Sequence, residues 1–327
     1  MAGIKPGIEM SPTTPQSEHD IAADLIAVLV AVTDGEPRVL TIQDERALPS
    51  GPFQLAHRSL QSGLRAWVER QTRLPLGYVE QLYTFADSDR AGVTAQHVIS
   101  ISYLGLTREQ QASGEYVASW RGWYEYFPWE DHRLGTPPLI EKSLKRGLAA
   151  WASDSPDRGE QRNRRQRIAM LFGLEDHAWN EELILQRYEL LYEAGLIPEA
   201  KRGASAIAST DSALSAATGK PMILDHRRIL ATGIARLRAK IKYHPVVFEL
   251  MPDTFTLLQL QRCVEALAGR LVHKPNFRRL IEQQELIEET GELSQDTGGR
   301  PAKLFRFRGA VFAARAIAGT KLPVTGA

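Results

Sequence analysis

Residues Met251–Phe307 read MPDTFTLLQLQRCVEALAGRLVHKPNFRRLIEQQELIEETGELSQDTGGRPAKLFRF. Thr254 or Thr256 supplies an N-cap ahead of Leu257, Leu258, Leu260, Val264 and Leu267, whose spacing predicts a helix with one buried face. Gly269 is placed to cap the end of that helix. Arg270 to Pro275 make a short bridge. A second helix begins near Asn276, with Pro275 in its first turn, where the missing N–H has no helical partner to lose. It carries Lys274, Asn276, Arg278 and Arg279 near its N-terminal end, and Phe277, Leu280, Ile281 and Leu286 on a core side. Gly291, a polar loop through Gly298-Gly299-Arg300-Pro301 and an alternating strand from Lys303 to Arg308 complete a basic hairpin. Helix, turn, basic-tipped helix and basic hairpin are the parts of a winged helix-turn-helix, whose second helix enters the major groove and whose wing touches the DNA backbone. Asparagine reads adenine bidentately and arginine reads guanine. Asn276 and Arg279 are therefore the candidate base contacts, and Lys274, Arg278, Arg300 and Lys303 the candidate phosphate contacts. The competing reading is two amphipathic helices with solvated charges.

The chain has 327 residues, 43% apolar and 24% charged, with a net charge of +1. That is long enough for two domains with sizeable cores. A near-neutral chain has no overall polycationic character, so a nucleic-acid surface has to be local. Cys263 is the only cysteine, which excludes an internal disulfide framework and a cysteine-rich zinc site and suggests a reducing compartment. The apolar run Ile21 to Val32 contains Asp24 and is too short to span a bilayer, and the N-terminus lacks the order of a signal peptide. A cytoplasmic protein with no membrane partner is expected.

From Ile21 the chain reads as a hairpin: IAVLVAV, a turn at Asp34-Gly35-Glu36-Pro37, then RVLTIQ. A helix is predicted over Ser59 to Arg73, with Leu60, Leu64, Trp67 and Val68 on one face. This segment is in register with the Nudix box, G-x5-E-x7-R-E-U-x-E-E-x-G-U, from Gly51 onward. His57 stands for the first Glu, Arg65 matches, Ala66 replaces Glu, Glu69 matches, Arg70 replaces the last Glu and Thr72 replaces Gly. The box works by concentrating carboxylates on one helix to hold divalent metals against a diphosphate. Here the frame is kept and the chemistry is largely gone.

QLYTF, a loop containing Arg90, and HVISISYLGL read as strand, loop, strand. Arg90 is open between a solvated residue and a phosphate contact. WRGWYEYFPWEDHR, Trp120 to Arg133, is open between core packing, a dimer interface and a stacking wall for an adenine ring. Helical spacing recurs over Leu139 to Trp151 and Ile168 to Leu196. QRNRRQR, Gln161 to Arg167, reads as a solvated face. From Met222 an amphipathic helix follows, with Asp225 as an N-cap, His226 as a structural hydrogen-bonder, and Arg227, Arg228, Arg236, Arg238, Lys240 and Lys242 facing DNA phosphates or a partner subunit.

FTLLQLQRCVEALAGR, HKPNFRR and GGRPAKLFRF resemble the C-terminal domain of the Nudix-related transcriptional regulators of NAD metabolism, the NrtR and NadQ groups. The segments QLYTF to HVISISYLGL and MILDHRRILATGIARLRAK resemble the same regulators, and the helical insertion brings the chain closer to the NadQ type. The resemblance implies an α+β chain: a tail over 1–20, a Nudix-like α/β sandwich over 21–136, a helical insertion over 137–221, a connecting helix over 222–245 and a winged helix-turn-helix over 246–327. It implies a homodimeric repressor of NAD-biosynthesis genes on a palindromic double-stranded operator, with NAD, ADP-ribose or ATP as effector and no cofactor, catalytic residue or metal required. His57, Arg65, Glu69, Arg90 and Trp129 are the candidates to meet the ligand. The alternatives are an active Nudix pyrophosphatase acting on ADP-ribose, against which Ala66 and Arg70 argue, and a nucleotide-binding adaptor.

Overall fold

The computed structural model describes residues 21–74, 76–77, 79–86, 97–110, 117–201, 212–243, 247–294 and 301–309. β1 (Ile21–Thr33) is unbroken in apolar residues from Leu25 to Val32. A strand with one wet face alternates; a continuous run belongs to a strand covered on both faces. Leu25, Ala27 and Leu29 pack with Leu64 and Val68 of α1 (Leu60–Thr72). Ile26, Val28 and Val30 point the other way, into the larger core. Asp34 and Gly35 both take positive φ, 53° and 74°, and turn β1 into β2 (Glu36–Thr41) with Thr33 opposite Glu36. This is the two-residue loop that matches strand twist.

β3 (Ser50–Pro52) adds to β1; β4 (Val79–Phe85), β5 (His97–Leu106) and β6 (Ser119–Gly122) complete a six-stranded sheet in the order β4-β5-β1-β2-β6. Only the β1–β5 pairing is parallel. α1 starts at the capping box of Ser59 with Ser62 and ends at Arg73 in the left-handed region, within a residue of the expected helix.

The aromatic stretch resolves to core. Trp123, Tyr126, Phe127 and Trp129 are all fully buried. Trp129 therefore offers no stacking wall at the surface, contrary to expectation; its ring packs edge-on against Phe127 instead. The helical segment that follows comprises a π-helical turn (Ile140–Leu144), α2 (Lys145–Ser153), α3 (Arg158–Phe172), α4 (Ile184–Glu193) and α5 (Ser212–Ala217). It is no appendage, because Leu144, Leu148, Phe172, Ile184, Tyr188 and Leu191 belong to the same buried cluster as β1.

α6 (His226–Tyr243) lies on that face of the sheet, close enough that a Cβ on Gly233 would come 3.0 Å from Val28 Cγ1. His226 is buried, and its Nδ1 accepts the Leu48 N–H at 2.9 Å, the structural role its isolation suggested. The six cations of this helix are turned inward or bound within the chain, which corrects their reading as a phosphate-facing row. Arg227 pairs with Glu199, Arg228 with Glu189, Arg236 and Lys240 with Glu80, Arg238 with Glu130, and Lys242 with Glu182.

One ion network joins all these parts. The buried Glu130 carboxylate accepts from Arg187 of α4 at 2.6 and 3.0 Å and from Arg238 of α6 at 2.5 Å. Arg187 also donates to the Leu171 and Asn180 carbonyls, and Arg238 to the Leu267 and Glu181 carbonyls. Burial by itself pushes the Glu130 carboxyl up, but the two guanidinium groups outweigh it and hold the carboxyl below its usual 4.5. A folded value below the unfolded one means stability that is present above pH 4.5 and lost as the pH falls through the lower folded value. Glu130→Gln is expected to cost about 3–5 kcal/mol in urea denaturation at neutral pH, the range for breaking a buried pair. The gap from wild type should shrink on acidification below 4.5.

Candidate nucleic-acid interface and ligand cleft

α7 (Leu257–Ala268) begins at Thr256, whose hydroxyl accepts the Gln259 N–H while the Gln259 side chain accepts the Thr256 N–H. It buries Leu260, Cys263, Val264 and Leu267 and ends at Gly269 with φ 71°. Glycine is needed here for two reasons: the left-handed φ, and a Cβ that would run into the Glu130 carbonyl oxygen. The same end of α7 receives the Tyr124 hydroxyl on the Ala266 carbonyl, and the Gly269 carbonyl accepts the His132 N–H, each at 2.7 Å. The Glu265 carboxylate accepts the Val272 N–H at 3.0 Å and holds the turn.

α8 (Lys274–Gln283) follows, burying Phe277 and Ile281 and leaving Lys274, Asn276, Arg278 and Arg279 exposed. Among the described residues none of these three cations is held in an ion pair. His273 starts the helix without a side-chain cap, so the first backbone N–H groups face solvent together with the cations. β7 (Ile287–Ser294) and β8 (Ala302–Phe307) form the hairpin, and Phe255 bridges to Phe305 by paired backbone hydrogen bonds of 2.9 and 2.8 Å. The hairpin is not the basic element expected. Lys303 binds Glu289 at 2.9 Å and Arg306 binds Glu288 at 2.7 Å, because β7 extends across Glu288 and Glu289, opposite the cations of β8. Arg300 lies outside the described residues.

Of the candidate ligand residues, His57, Arg65 and Glu69 lie on or beside α1. Arg65 donates to the carbonyls of Leu76 and Gly77, bracing the chain after α1. His57 Nδ1 accepts the Gln54 N–H at 3.1 Å. Glu69 is exposed on α1, and the neighbouring Arg70 lies 3.9 Å over the Trp67 ring. Arg90 lies outside the described residues, and Trp129 is in the core. A concavity lies elsewhere, a cleft of about 600 Å³ on the far face of the sheet between β4, α3, α4 and α6. Tyr83 and Phe85 lie on its sheet side, and Met170, Gln186 and Arg228 on its helical sides. Of these, only Tyr83 and Phe85 carried a local signal, as aromatics two apart on a strand.

The model of the family described as the NrtR DNA-binding winged helix domain matches residues 247–307. Those residues are similar to a winged helix of the NrtR type. The curated protein described as the ADPR responsive transcriptional repressor NtrR of Acinetobacter baylyi is 38% identical over 86 residues, 26% of this chain. The match spans about a third of that relative's length, 34%. Over 88% of this chain the fold is that of Shewanella oneidensis NrtR, solved in complex with a 27mer DNA, at a TM-score of 0.52, 19% identity and 93% coverage of that chain. A MutT/nudix family protein from Enterococcus faecalis matches at the same TM-score of 0.52, with 15% identity, over 91% of this chain and 90% of its own. At these identities the likeness is one of fold: a Nudix-type α/β body followed by an NrtR-type winged helix, as the sequence resemblance implied. Among the described residues no helix is long and apolar enough to cross a membrane.

Burial of Cys263 on α7 of the NrtR-type domain pushes its thiol up to about 12. The native protein should therefore leave Ellman's reagent unconsumed at pH 8 and release one equivalent of thiolate in guanidinium chloride. Reaction of the native protein at the unfolded rate would place α7 outside the core.

Proposed function

We propose that this chain is a DNA-binding transcriptional repressor of NAD-biosynthesis genes whose Nudix-like body senses an adenine nucleotide, ADP-ribose before NAD or ATP. The observation that carries the reading is α8: an uncapped helix N-terminus with Lys274, Asn276, Arg278 and Arg279 on its open side, within an NrtR-type winged helix. Helix N-termini and cations attract phosphates, and asparagine and arginine at that position reach base edges. The description of the Acinetobacter baylyi relative as responsive to ADPR supports ADP-ribose as the effector.

The body acts as a sensor and not as a hydrolase. On α1 the box keeps one of its three adjoining carboxylates, Glu69, and sets Arg70 beside it, so the concentrated negative charge that metal-assisted diphosphate cleavage needs is missing. The protein works as a cytoplasmic homodimer on a palindromic operator, with two α8 helices about 34–36 Å apart, one turn of DNA. Asn276 and Arg279 read bases; Lys274 and Arg278 hold phosphates, joined by Arg300, and Lys303 joins them by exchanging Glu289 for phosphate, since an exposed pair of that kind is weak.

Fluorescence anisotropy on the promoter DNA of the host's NAD-synthesis genes, titrated with ADP-ribose, NAD and ATP, tests the whole reading. Competitor-resistant binding that one nucleotide shifts is expected. Asn276→Ala should lower discrimination between operator and random duplex by about 1–3 kcal/mol, and Lys274→Ala should weaken both alike and reduce the salt slope by about 1. Affinity no higher than for a random duplex sinks the assignment.

A further inference from the structure

The cleft of about 600 Å³ lies within the size range of small-molecule sites. Its sheet side is built unusually. β4 carries one extra residue between Gln81 and Thr84 relative to β5, a β-bulge. The buried Ser102 hydroxyl accepts the Tyr83 N–H at 3.3 Å and donates to the Tyr83 carbonyl at 2.8 Å, which replaces the ladder bonds the bulge disrupts. Tyr83 is thus pinned at its backbone while its ring, 5.0 Å from that of Phe85, is 61% exposed at the cleft. Met170 of α3 is 49% exposed on a helical side. A fixed aromatic face and a soft thioether suit a flat ring.

The polar groups narrow the choice. Gln186 of α4 lines the cleft with an exposed amide, a donor and an acceptor on one plane, the pattern that reads the edge of adenine. Arg228 sits 4.6 Å over Phe85 and is held by Glu189 at 2.5 Å, so the interior is balanced in charge and favours an uncharged ring. Arg167 also lines the cleft, in a half-exposed pair with Glu193, and its guanidinium can turn to a phosphate at little cost.

We infer that the adenine ring of the nucleotide effector binds in this cleft, stacked on Tyr83 and read by Gln186, with its phosphates toward Arg167. The inference rests on the sensor reading above and gives it a site away from the decayed box. It also gives it a route. Arg228 and Thr232, which line the cleft, lie on α6, and Arg238 lies six residues beyond Thr232, about 9 Å along the helix axis. There Arg238 holds the Leu267 carbonyl at the end of α7. A ligand that displaces α6 therefore acts on the winged helix through a group already bound to it.

Calorimetry on the full chain tests this with ADP-ribose, adenosine and ribose 5-phosphate. Tyr83→Ala should weaken ADP-ribose by about ten-fold or more, the range of base-on-aromatic stacking, and Tyr83→Phe should restore it. Gln186→Ala should weaken it as well. Both side chains are exposed, so the variants should bind operator DNA like wild type when nucleotide is absent. Adenosine should compete with ADP-ribose, and ribose 5-phosphate should not. Undiminished ADP-ribose binding by Tyr83→Ala, or competition by ribose 5-phosphate alone, overturns the cleft while leaving the sensor reading intact. A wild-type protein that binds operator but no ADP-ribose removes the effector reading, and the cleft falls with it.

Discussion

A carboxylate with no access to water has to be neutralised where it lies. Glu130 meets that requirement with two guanidinium groups from two separate helices, Arg187 from α4 and Arg238 from α6. Losing Glu130 would leave two buried guanidinium groups without their counter-charge, and losing either arginine would leave the buried carbonyls it holds without a donor, each costlier than the intact network is stabilising. The sheet segment, the helical insertion and the connecting helix therefore cannot separate one at a time. The network also extends beyond them, since Arg238 donates to the Leu267 carbonyl and the Glu130 backbone packs against Gly269. The end of α7 is the start of the helix-turn-helix turn, so the charge that locks the body also sets the angle at which α8 is presented.

This arrangement constrains how any ligand could control DNA binding. A ligand shifts an equilibrium only by its difference in affinity for two states. For a winged helix held by Tyr124, His132 and Arg238, the second state has to differ at those contacts. Of the elements involved, α6 reaches both the cleft and the clasp. A tightly bound nucleotide that left all of those contacts in place would be invisible at α8.

Local signals in the sequence located what is local. The start of α1 at Ser59, the caps at Thr256 and Gly269, the turn at Asp34-Gly35 and the period of α7 and α8 each depend on residues within a few positions, and the structure places them within a residue or two. What failed was long-range. Glu130 finds its partners 57 and 108 positions away, so the cations of α6 looked free when read along their own helix. The density of aromatics around Trp129 was plain, but its side of the fold was decided by packing with Phe127, which in turn packs on Tyr188 of a helix far along the chain. The cleft was illegible for the same reason: it exists only where α3, α4 and α6 meet β4. The wing misled through a boundary, because extending β7 over Glu288 and Glu289 turns a basic strand into a balanced pair of strands.

Charge balance is the common thread. With a net charge of +1 and many of its cations committed to internal partners, this chain has little diffuse positive field to offer DNA. Non-specific affinity comes almost entirely from phosphate neutralisation, so a protein that spends its arginines internally binds arbitrary duplex weakly. Three exposed cations that no ion pair holds among the described residues, Lys274, Arg278 and Arg279, sit at the start of α8, beside Asn276. Concentrating them there makes attraction to phosphate and reading of bases depend on the same docking of one helix. Anything that tilts that helix then removes both together.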